Sequence, residues 1–587
     1  MEKRVLIAVL LSFLVLWAYT AIVPHPKPPI TRPGAAAASA PGEAAAGGQA
    51  AGPDEPVAPV TPLAPTAAAT VSDTTEHSIV IDTKLVRAVF SNRGGVLRSW
   101  TLKKYQDGQG HPVDLVPEGL PPSEPRPFSV RLPDPVQTGL ANSALFHVNS
   151  PEAVDATVAP ATVVFDYEDQ SGFRAHKQFR VDPDSYVVTF TISVRDKGAE
   201  LNPVVQWGPG LGDSQFIVGK TQRFGTYAQH SQAITYAEGS CWPWESRCAQ
   251  RLPAPKTLQH PTWQGDYPFA GIDDHYFLAS LVQAGPARIT FRPSKVALPG
   301  QTDLRELMSF DALFATPPTG KRVFVGPKDF DVLASVDRDL VRTIYYGMFA
   351  FLAVPLLHAL KWINAFVGNY GWSIIILTFV INAVMFPLRH KSVASMRKMQ
   401  AIQPQVKAIN DRYSSLKLTD PAQQNKNKEL MALYREKGVN PTGGCAPMLL
   451  TMPILFAFYS MLSVSIELRG QPFALWIHDL SQHDPYYITP VLMGLSMLWQ
   501  QRLTPTPDPA QARVMMLTPI MFLVFFLWAP SGLVLYWLVS NMLGIAQQYA
   551  TGRIIGMPLQ KGPGGAAERR LKQAGTGQTD RARGGQR

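Results

Sequence analysis

The chain has 587 residues, of which 46% are hydrophobic and 17% are charged, and its formal net charge is +10. This composition favours a membrane protein with several domains. Three cysteines are too few for a disulfide framework. Nucleic-acid binding would explain a basic chain, but not the alternation of its charge with apolar stretches, and DNA is therefore not an expected partner.

The first segment, residues 1–23, begins with Lys3 and Arg4 and continues as an apolar run. The run is long enough to cross ~30 Å of hydrocarbon, so we predict an uncleaved transmembrane signal anchor. A cleaved signal peptide is the alternative, although the residues around its exit suit cleavage poorly. Residues 24–75 are rich in Ala, Pro and Gly, and we predict that they form a disordered linker.

Residues 76–336 contain short runs of β-branched and aromatic residues, separated by Gly, Pro, Asn and Asp. Examples are Ser78–Ile81, Val86–Phe90, Ala161–Phe165 and Tyr186–Val194. Many short strands without an intervening helical pattern predict an all-β antiparallel sandwich. Cys241 and Cys248 are a possible disulfide in an oxidising compartment, and two free thiols are the alternative.

Residues 337–366 are apolar but interrupted by charged residues, a histidine, an asparagine and a proline. This pattern predicts an amphipathic helix in the plane of the membrane interface, with a membrane span as the alternative.

Five membrane-length stretches then predict a helical core over residues 367–552. They are Trp372–Leu388, Pro447–Leu462, Tyr487–Gln501 and the two halves of Val514–Ala550, which Pro530-Ser531-Gly532 divides. With the anchor, the count is six transmembrane helices, five of them in the core.

Two basic segments set the predicted topology. Residues 389–440 hold eleven Lys/Arg and four Asp/Glu, and residues 553–587 hold eight and two. Basic segments beside spans remain in the cytoplasm, which predicts a cytoplasmic helical hairpin at 389–440, with helices over 392–413 and 424–437, and a basic cytoplasmic tail at 553–587. Six spans place both termini on that same side.

Polar residues within the spans are the candidate functional residues, because each must be hydrogen-bonded, hydrated or costly. They are Thr378, Asn382, Ser496, Gln500, Tyr536, Ser540, Asn541 and Gln547. Thr378 and Asn382 lie four residues apart and share one helix face. Hydrogen bonds between helices, worth ~0.6 kcal/mol each, are the structural alternative to a partly hydrated furrow. The sequence has no Walker loop, dinucleotide fingerprint or zinc-ligand spacing, so we expect no cofactor, no metal and no enzyme.

Several motifs carry a family resemblance, strongest from about residue 370 to 550. They are Gly371–Ile376, Asn440–Cys445, Pro472–Leu480, Asp484–Tyr487 and Phe525–Trp537, with Val325–Asp329 at the end of the β-rich region. These motifs resemble the YidC membrane protein insertases of Gram-negative bacteria. The resemblance implies a bacterial inner-membrane protein with a periplasmic β-super-sandwich, an interfacial helix and a five-span core around a groove open to cytoplasm and lipid.

The resemblance also implies site residues. Thr378 matches the groove threonine of the family, and Tyr536 and Trp537 match its pair of aromatic residues that contact substrate. Met452 and Pro453 fall where the family has substrate-contacting residues, and Gln500 is added from its place in the polar stripe.

One position departs from the family pattern. Asn382 stands where family members usually carry a groove arginine, and Trp537 stands where a second tyrosine is common. An asparagine donates a hydrogen bond but carries no charge. The sequence therefore predicts a groove without a fixed intramembrane cation.

The expected function is insertion and chaperoning of nascent inner-membrane proteins, alone or with the Sec translocon and without ATP hydrolysis. The expected partners are nascent membrane proteins, the ribosome, Sec translocon components and anionic lipids. A small-solute membrane transporter is the alternative, but the chain lacks internal repeats and a buried ionisable pair. A membrane-anchored sugar-binding or sugar-isomerising protein is a weaker alternative.

Overall fold

The computed structural model describes residues 68–107, 110–212, 231–238, 247–297, 304–413, 422–438, 446–503 and 509–554. The predicted anchor, most of the linker and nearly all of the basic tail therefore lie outside the described residues. The described residues belong to two compact units, 68–344 and 345–554.

The first unit is built mainly from β-strands. Its described strands are β1 Ala69–Val71, β2 Ser78–Asp82, β3 Val86–Ser91, β4 Val96–Gln106, β5 Pro112–Asp114, β6 Ser129–Arg131, β7 His147–Val148, β8 Ala153–Asp155, β9 Ala161–Asp169, β10 Phe173–Val181, β11 Val187–Asp196, β12 Ala199–Leu201, β13 Val204–Trp207, β14 Gln232–Glu238, β15 Arg247–Leu252, β16 Thr262–Asp273, β17 Phe277–Val296, β18 Arg305–Phe314 and β19 Lys321–Pro327. The four sequence examples all fall on strands, at β2, β3, β9 and β11.

These strands form two sheets. The larger has the order β1-β9-β10-β11-β19-β17-β16-β14-β15 with further strands at its side, and the smaller has the order β5-β4-β3-β2-β8. The described pairings are antiparallel except for β2 with β8, which is parallel. Phe90 of β3 stacks on Phe179 of β10 at 4.9 Å, and Trp100 of β4 donates to the Val325 carbonyl of β19 at 2.8 Å. The two sheets therefore pack face to face around an aromatic core.

Short helices interrupt this unit, which the sequence pattern did not predict. They are α1 Pro135–Ser143, α2 Ala254–Thr257 and α3 Phe330–Val336. Asp134 caps α1 by accepting the Val136 N–H at 2.9 Å, and Pro135 occupies the first turn. A side-chain cap followed by proline starts a helix locally even where the surrounding sequence is strand-rich.

The second unit is helical. Its described helices are α4 Ala350–Val367, α5 Tyr370–Ala401, α6 Gln403–Arg412, α7 Ala422–Glu436, α8 Ala446–Val464, α9 Ile488–Leu503, α10 Pro509–Phe526 and α11 Ser531–Ile554. Helix α11 packs against both α5 and α9, and α4 packs against α5 and α8. Consequently α11 is the central helix that brings the polar faces of its neighbours together.

Helix boundaries agree with the sequence in some places and differ in others. The predicted division of the last apolar run occurs as expected, since α10 ends at Phe526 and α11 begins at Ser531. By contrast, α5 continues beyond Leu388 to Ala401 instead of ending where the basic residues start. The first hairpin helix is correspondingly shorter than the predicted 392–413.

Two described stretches are long and apolar enough to cross a membrane, Gly347–Val367 and Tyr370–Lys391. Shorter apolar segments occur at Pro453–Val464 and Leu517–Phe526. The first stretch overlaps the predicted interfacial helix at 337–366, and its place in or across the interface stays a prediction. The second stretch contains the candidate site residues of α5.

Candidate functional site

Three side chains form a hydrogen-bonded ladder on α5. The Thr378 hydroxyl donates to the Ile374 carbonyl at 2.6 Å, and the Asn382 amide donates to the Thr378 carbonyl at 2.8 Å. The guanidinium of Arg389 then donates from Nη1 to Oδ1 of Asn382 at 2.6 Å. We call Thr378, Asn382 and Arg389 the α5 polar ladder.

Helix geometry explains why these residues meet. Positions four and seven apart return to nearly the same face, and Asn382 and Arg389 are separated by about 10 Å along the helix axis. Helical side chains lean toward the N-terminus, so the long Arg389 side chain extends back toward Asn382. The arginine charge therefore lies closer to the middle of the apolar stretch than its own position in the sequence indicates.

The ladder is largely shielded by the bundle. Thr378 is fully buried, Asn382 is 8% exposed, and Arg389 is half-buried. A partly buried guanidinium in a membrane-length segment is costly unless it is hydrogen-bonded or hydrated, and the Asn382 amide oxygen supplies one acceptor. Asn382 thus positions the cation, which is a role that the sequence did not predict for it.

Helix α11 supports the same end of α5. The Gln547 amide donates to the Phe386 carbonyl at 3.2 Å, and a ring nitrogen of His390 lies 3.3 Å from the Thr551 hydroxyl. Gln547 and Thr551 are both buried. These contacts fix the α5 segment that carries Arg389, because they hold it on both sides of that residue.

Tyr536 of α11 approaches the ladder from a second helix. Its ring is 6% exposed and stacks on Phe458 of α8 at 4.2 Å. Its hydroxyl lies close enough to Arg389 for the two groups to interact electrostatically. Thr378 and Asn382 are thus joined within the α5 polar ladder, and Tyr536 lies on α11, which packs against α5.

The other candidate residues lie elsewhere or are only partly described. Trp537 packs against Phe522 and Phe526 of α10, with ring centroids 5.4 and 5.0 Å away. Gln500 lies at the seam between α9 and α11, where its amide nitrogen packs against Gly544. Both residues therefore belong to helix interfaces other than that of α5.

The predicted contacts on α8 are less complete. Pro453 is a half-buried residue within α8, and the side chain of Met452 lies outside the described residues. The possible disulfide is likewise outside them, because Cys241 and the side chain of Cys248 are not described.

Polar residues at the α9–α11 seam satisfy one another. The Asn541 amide donates to the Ser496 hydroxyl at 3.0 Å, and that hydroxyl donates to the Met493 carbonyl at 2.7 Å. This pair matches the structural alternative stated for the span residues, hydrogen bonding between helices. The seam is therefore a helix contact, and the α5 polar ladder is the better candidate for a working site.

Sequence reasoning missed Arg389 because it ended the span at Leu388 and assigned the basic residues after it to a cytoplasmic hairpin. The signal was present in the spacing, since Arg389 follows Asn382 by seven residues on a continuous helical pattern. The structure brings the Arg389 guanidinium within hydrogen-bonding distance of Asn382, which differs from the expectation that no cation lies beside this residue. Among the described residues, no group of three or more His, Cys, Asp or Glu is arranged to hold a metal ion.

Comparison with known families covers nearly all of the described chain. A family model described as "60Kd inner membrane protein" matches residues 362–557, and one described as "YidC periplasmic domain" matches residues 78–359. The boundary between the two matches falls within α4.

Individual relatives match over almost their full length. The membrane protein insertase YidC of Citrifermentans bemidjiense is 37% identical over 557 residues, which cover 93% of this chain and 98% of the relative. The corresponding protein of Geobacter sulfurreducens is 36% identical over 572 residues, covering 94% and 99%. A crystal structure titled as an active YidC insertase with its first transmembrane domain resolved matches 82% of this chain and 95% of its own, with 18% identity and a TM-score of 0.33.

Proposed function

This chain belongs to the YidC family of membrane protein insertases, and we propose that it inserts nascent proteins into the inner membrane through a polar groove centred on the α5 polar ladder. The family is not a family of enzymes, and its members are inner-membrane proteins with a periplasmic domain. The insertase names of the relatives do not favour the solute transporter considered above.

The observation that carries the groove proposal is the hydrogen bond from Arg389 to Asn382. An ionisable group inside a membrane segment is expensive to keep, and it marks a site where polar groups or water must be accommodated. Carrying an Asp to the bilayer centre costs ~2.5 to 3.5 kcal/mol on insertion scales. A cation held at mid-depth would lower that cost for an acidic flank of a client segment.

Hydrophobic transfer supplies the driving force in this proposal. Each Leu or Ile gains ~0.3 to 0.6 kcal/mol on moving from the translocation pathway into lipid. A client span of about 20 residues therefore offsets the transfer of a few charged residues without ATP hydrolysis. The client would leave the groove sideways as soon as its apolar segment reaches lipid.

The proposal also includes a membrane topology for the whole chain. The core over 367–552 would contain five of six transmembrane helices, with both termini and the 389–440 hairpin in the cytoplasm, and the 337–366 segment would lie at the interface. The basic hairpin and the 553–587 tail would capture the ribosome, the nascent chain or anionic lipid headgroups. The protein would act alone or beside Sec translocon components.

Site-specific photocrosslinking tests the location of the groove. A photoreactive residue is introduced at Asn382, Tyr536 or Trp537 and exposed to a ribosome carrying a stalled nascent membrane protein. Val384, which is 68% exposed on α5, is the matched control on the same helix. Strong crosslinks at Asn382 and Tyr536 with weak ones at Val384 support the groove, and the reverse pattern refutes it.

Paired variants test the charge. Arg389→Gln removes the cation, Arg389→Lys retains a charge without the planar guanidinium, and Asn382→Leu removes its acceptor. Hydrogen bonds to charged groups contribute ~1.5 to 3 kcal/mol, so Arg389→Gln should reduce insertion of a client with an acidic translocated tail by about tenfold to a hundredfold. A matched client with a neutral tail should change little.

The control for this experiment is Arg502→Gln, because Arg502 is an exposed basic residue in the last turn of α9. It removes the same unit of charge away from the α5 polar ladder and should affect both clients equally and weakly. Asn382→Leu should impair the acidic client more than the neutral one. Equal losses for the two clients in the Arg389 and Asn382 variants would contradict the proposal.

A further inference from the structure

The connection between α8 and α9, residues 465–487, folds over the starts of α5 and α11, and we call it the cap. On the α5 side, the Asn369 amide donates to the carbonyls of Pro472 and Phe473 at 3.2 and 3.1 Å. A side chain at Gly371 would overlap the Phe473 ring, so only glycine allows this approach. Phe473 is thereby fixed to the first turn of α5.

The cap is held equally firmly on its other side. The N–H groups of Ser531 and Gly532 donate to the carbonyls of Gln482 and Leu480 at 2.6 and 2.9 Å. Within the cap, Asp484 accepts the indole N–H of Trp476 at 3.0 Å. Because hydrogen bonds tie the cap to two helices, the positions of its surface residues are well defined.

A tight turn over residues 473–477 forms the tip of the cap. The Phe473 N–H donates to the Ile477 carbonyl at 3.0 Å, and the Ile477 N–H donates to the Ala474 carbonyl at 3.1 Å. Leu475 in this turn has a φ of +56° and is 83% exposed. A left-handed conformation strains a leucine, and glycine or asparagine would adopt it more readily.

Neither the backbone nor the packing within the unit accounts for a leucine at this position. A strained residue persists only where something outside the local geometry favours it. An exposed leucine gains nothing from water, so the compensating environment must be apolar and must lie outside the described residues of this unit. Lipid and another protein are the two candidate environments for the Leu475 side chain.

The neighbouring aromatic residues favour lipid. Trp372 is 51% exposed on the first turn of the membrane-length stretch Tyr370–Lys391, and its ring contacts Phe473 edge-on at 5.6 Å. Tyr486 is 67% exposed and lies edge-on to Trp476 at 6.4 Å. Exposed Trp and Tyr at the end of a span are typical of the membrane interface.

We propose that the 473–477 turn anchors the cap to the bilayer by placing Leu475 among the acyl chains at the interface. Only the assignment of this contact to the periplasmic leaflet rests on the topology given under the proposed function. The anchor holds the cap at a constant depth, and the cap in turn holds the starts of α5 and α11. The helix ends nearest to Thr378 and Tyr536 are thereby kept in register with the membrane surface.

Depth-sensitive fluorescence tests the anchor in the full-length protein reconstituted into phospholipid vesicles. The three native cysteines are replaced by serine, a single cysteine is introduced by Leu475→Cys, and an environment-sensitive fluorophore is attached there. His478→Cys is the matched control, because His478 is an exposed polar residue of the same cap. The label at 475 should emit at shorter wavelength and be quenched roughly twofold or more strongly by spin-labelled acyl chains than the label at 478.

Two results would overturn the anchor. Equal, water-like emission at both positions would show that Leu475 lies in solvent. A short-wavelength emission that spin-labelled lipid does not quench would show that protein covers the turn. Insertion activity is not the readout, so loss of insertase function in these variants leaves this test intact, and a failed anchor leaves the groove experiments intact.

Discussion

Lys177 makes the stability of the β-rich unit depend on pH in an unusual direction. It lies on β10, is fully buried, and donates from Nζ to the carbonyls of Gly94 and Phe128 at 2.6 and 2.9 Å. The Phe146 ring lies 5.8 Å from the same nitrogen. Its hydrogen-bond acceptors are neutral carbonyls and not carboxylates, so burial lowers the pKa of Lys177 to about 7 from its ordinary value of 10.5.

The sign of the effect follows from proton binding. Between about 7 and 10.5 the unfolded chain binds a proton at Lys177 that the folded chain does not, so the free energy of unfolding rises with pH across this interval. From about pH 7 to pH 9 the gain attributable to this one group is ~2 kcal/mol, and below about pH 6 the curve is flat. The full penalty of the buried lysine is therefore present in acid and fades in mild alkali.

The variant Lys177→Met tests this reasoning, because it fills a similar volume without a titratable group. Full-length protein in lipid nanodiscs is equilibrated in urea at several pH values, and the folded fraction of the β-rich unit is measured by pulse proteolysis. The pH dependence of wild type minus Lys177→Met should show the rise of ~2 kcal/mol. Other titrating groups act in both proteins and cancel in the difference.

The matched control is Lys295→Met, which removes an exposed lysine of β17. Its pH dependence should follow that of the wild type. If Lys177→Met keeps the wild-type slope between pH 7 and pH 9, the lysine is not buried uncharged, and the reasoning from burial is refuted. The absolute stability of Lys177→Met does not decide the matter, since its two carbonyls also lose a donor.

Two further predictions concern the cap. Burial alone would raise the pKa of Asp484, but hydrogen bonds from Thr489, Tyr486 and Trp476 hold this pKa below its ordinary value. Asp484→Asn should therefore lower the free energy of unfolding by ~1 to 3 kcal/mol and remove part of the loss of stability that occurs in acid. An unchanged thermal midpoint in detergent would contradict this prediction. Gly371→Ala should displace Phe473 and cost ~1 to 3 kcal/mol in the same assay, whereas Gly139→Ala, with open space at its Cβ on helix α1, should be neutral or slightly stabilising.

The sequence predicts the β-rich unit well because burial on one face imposes a period of two. In β9 the residues alternate between buried and accessible, from Ala161 to Asp169, and the run of β-branched and aromatic residues there already indicates a strand. Such a run does not show which other strand it pairs with in the sheet. The parallel contact of β2 with β8 joins segments about seventy residues apart, and no local pattern specifies it.

In the helical unit, a helix end can be predicted where a helix-breaking residue such as proline stands, and it is harder to predict where no such residue stands. The Pro530-Ser531-Gly532 break separates α10 from α11 as expected. The inner end of α5 has no such breaker, and the change from apolar to basic residues at Leu388 wrongly predicts an end there. Polarity marks where a helix leaves lipid, but not where its hydrogen bonding stops, and α5 accordingly continues to Ala401.

The same distinction explains why the site is only half predictable. Asn382 departs from the family pattern, yet the conclusion that the groove lacks a cation assumes that a charge lies where its residue stands in the sequence. An arginine side chain that lies along the helix axis toward the N-terminus reaches more than one turn, and the Asn382 side chain meets its guanidinium. A guanidinium from position 389 can therefore lie near the depth of residue 382, provided that residue 382 is small, polar and an acceptor, and Asn382 meets all three conditions. The position of the charge, and not the position of the arginine in the sequence, is the property on which a client would act.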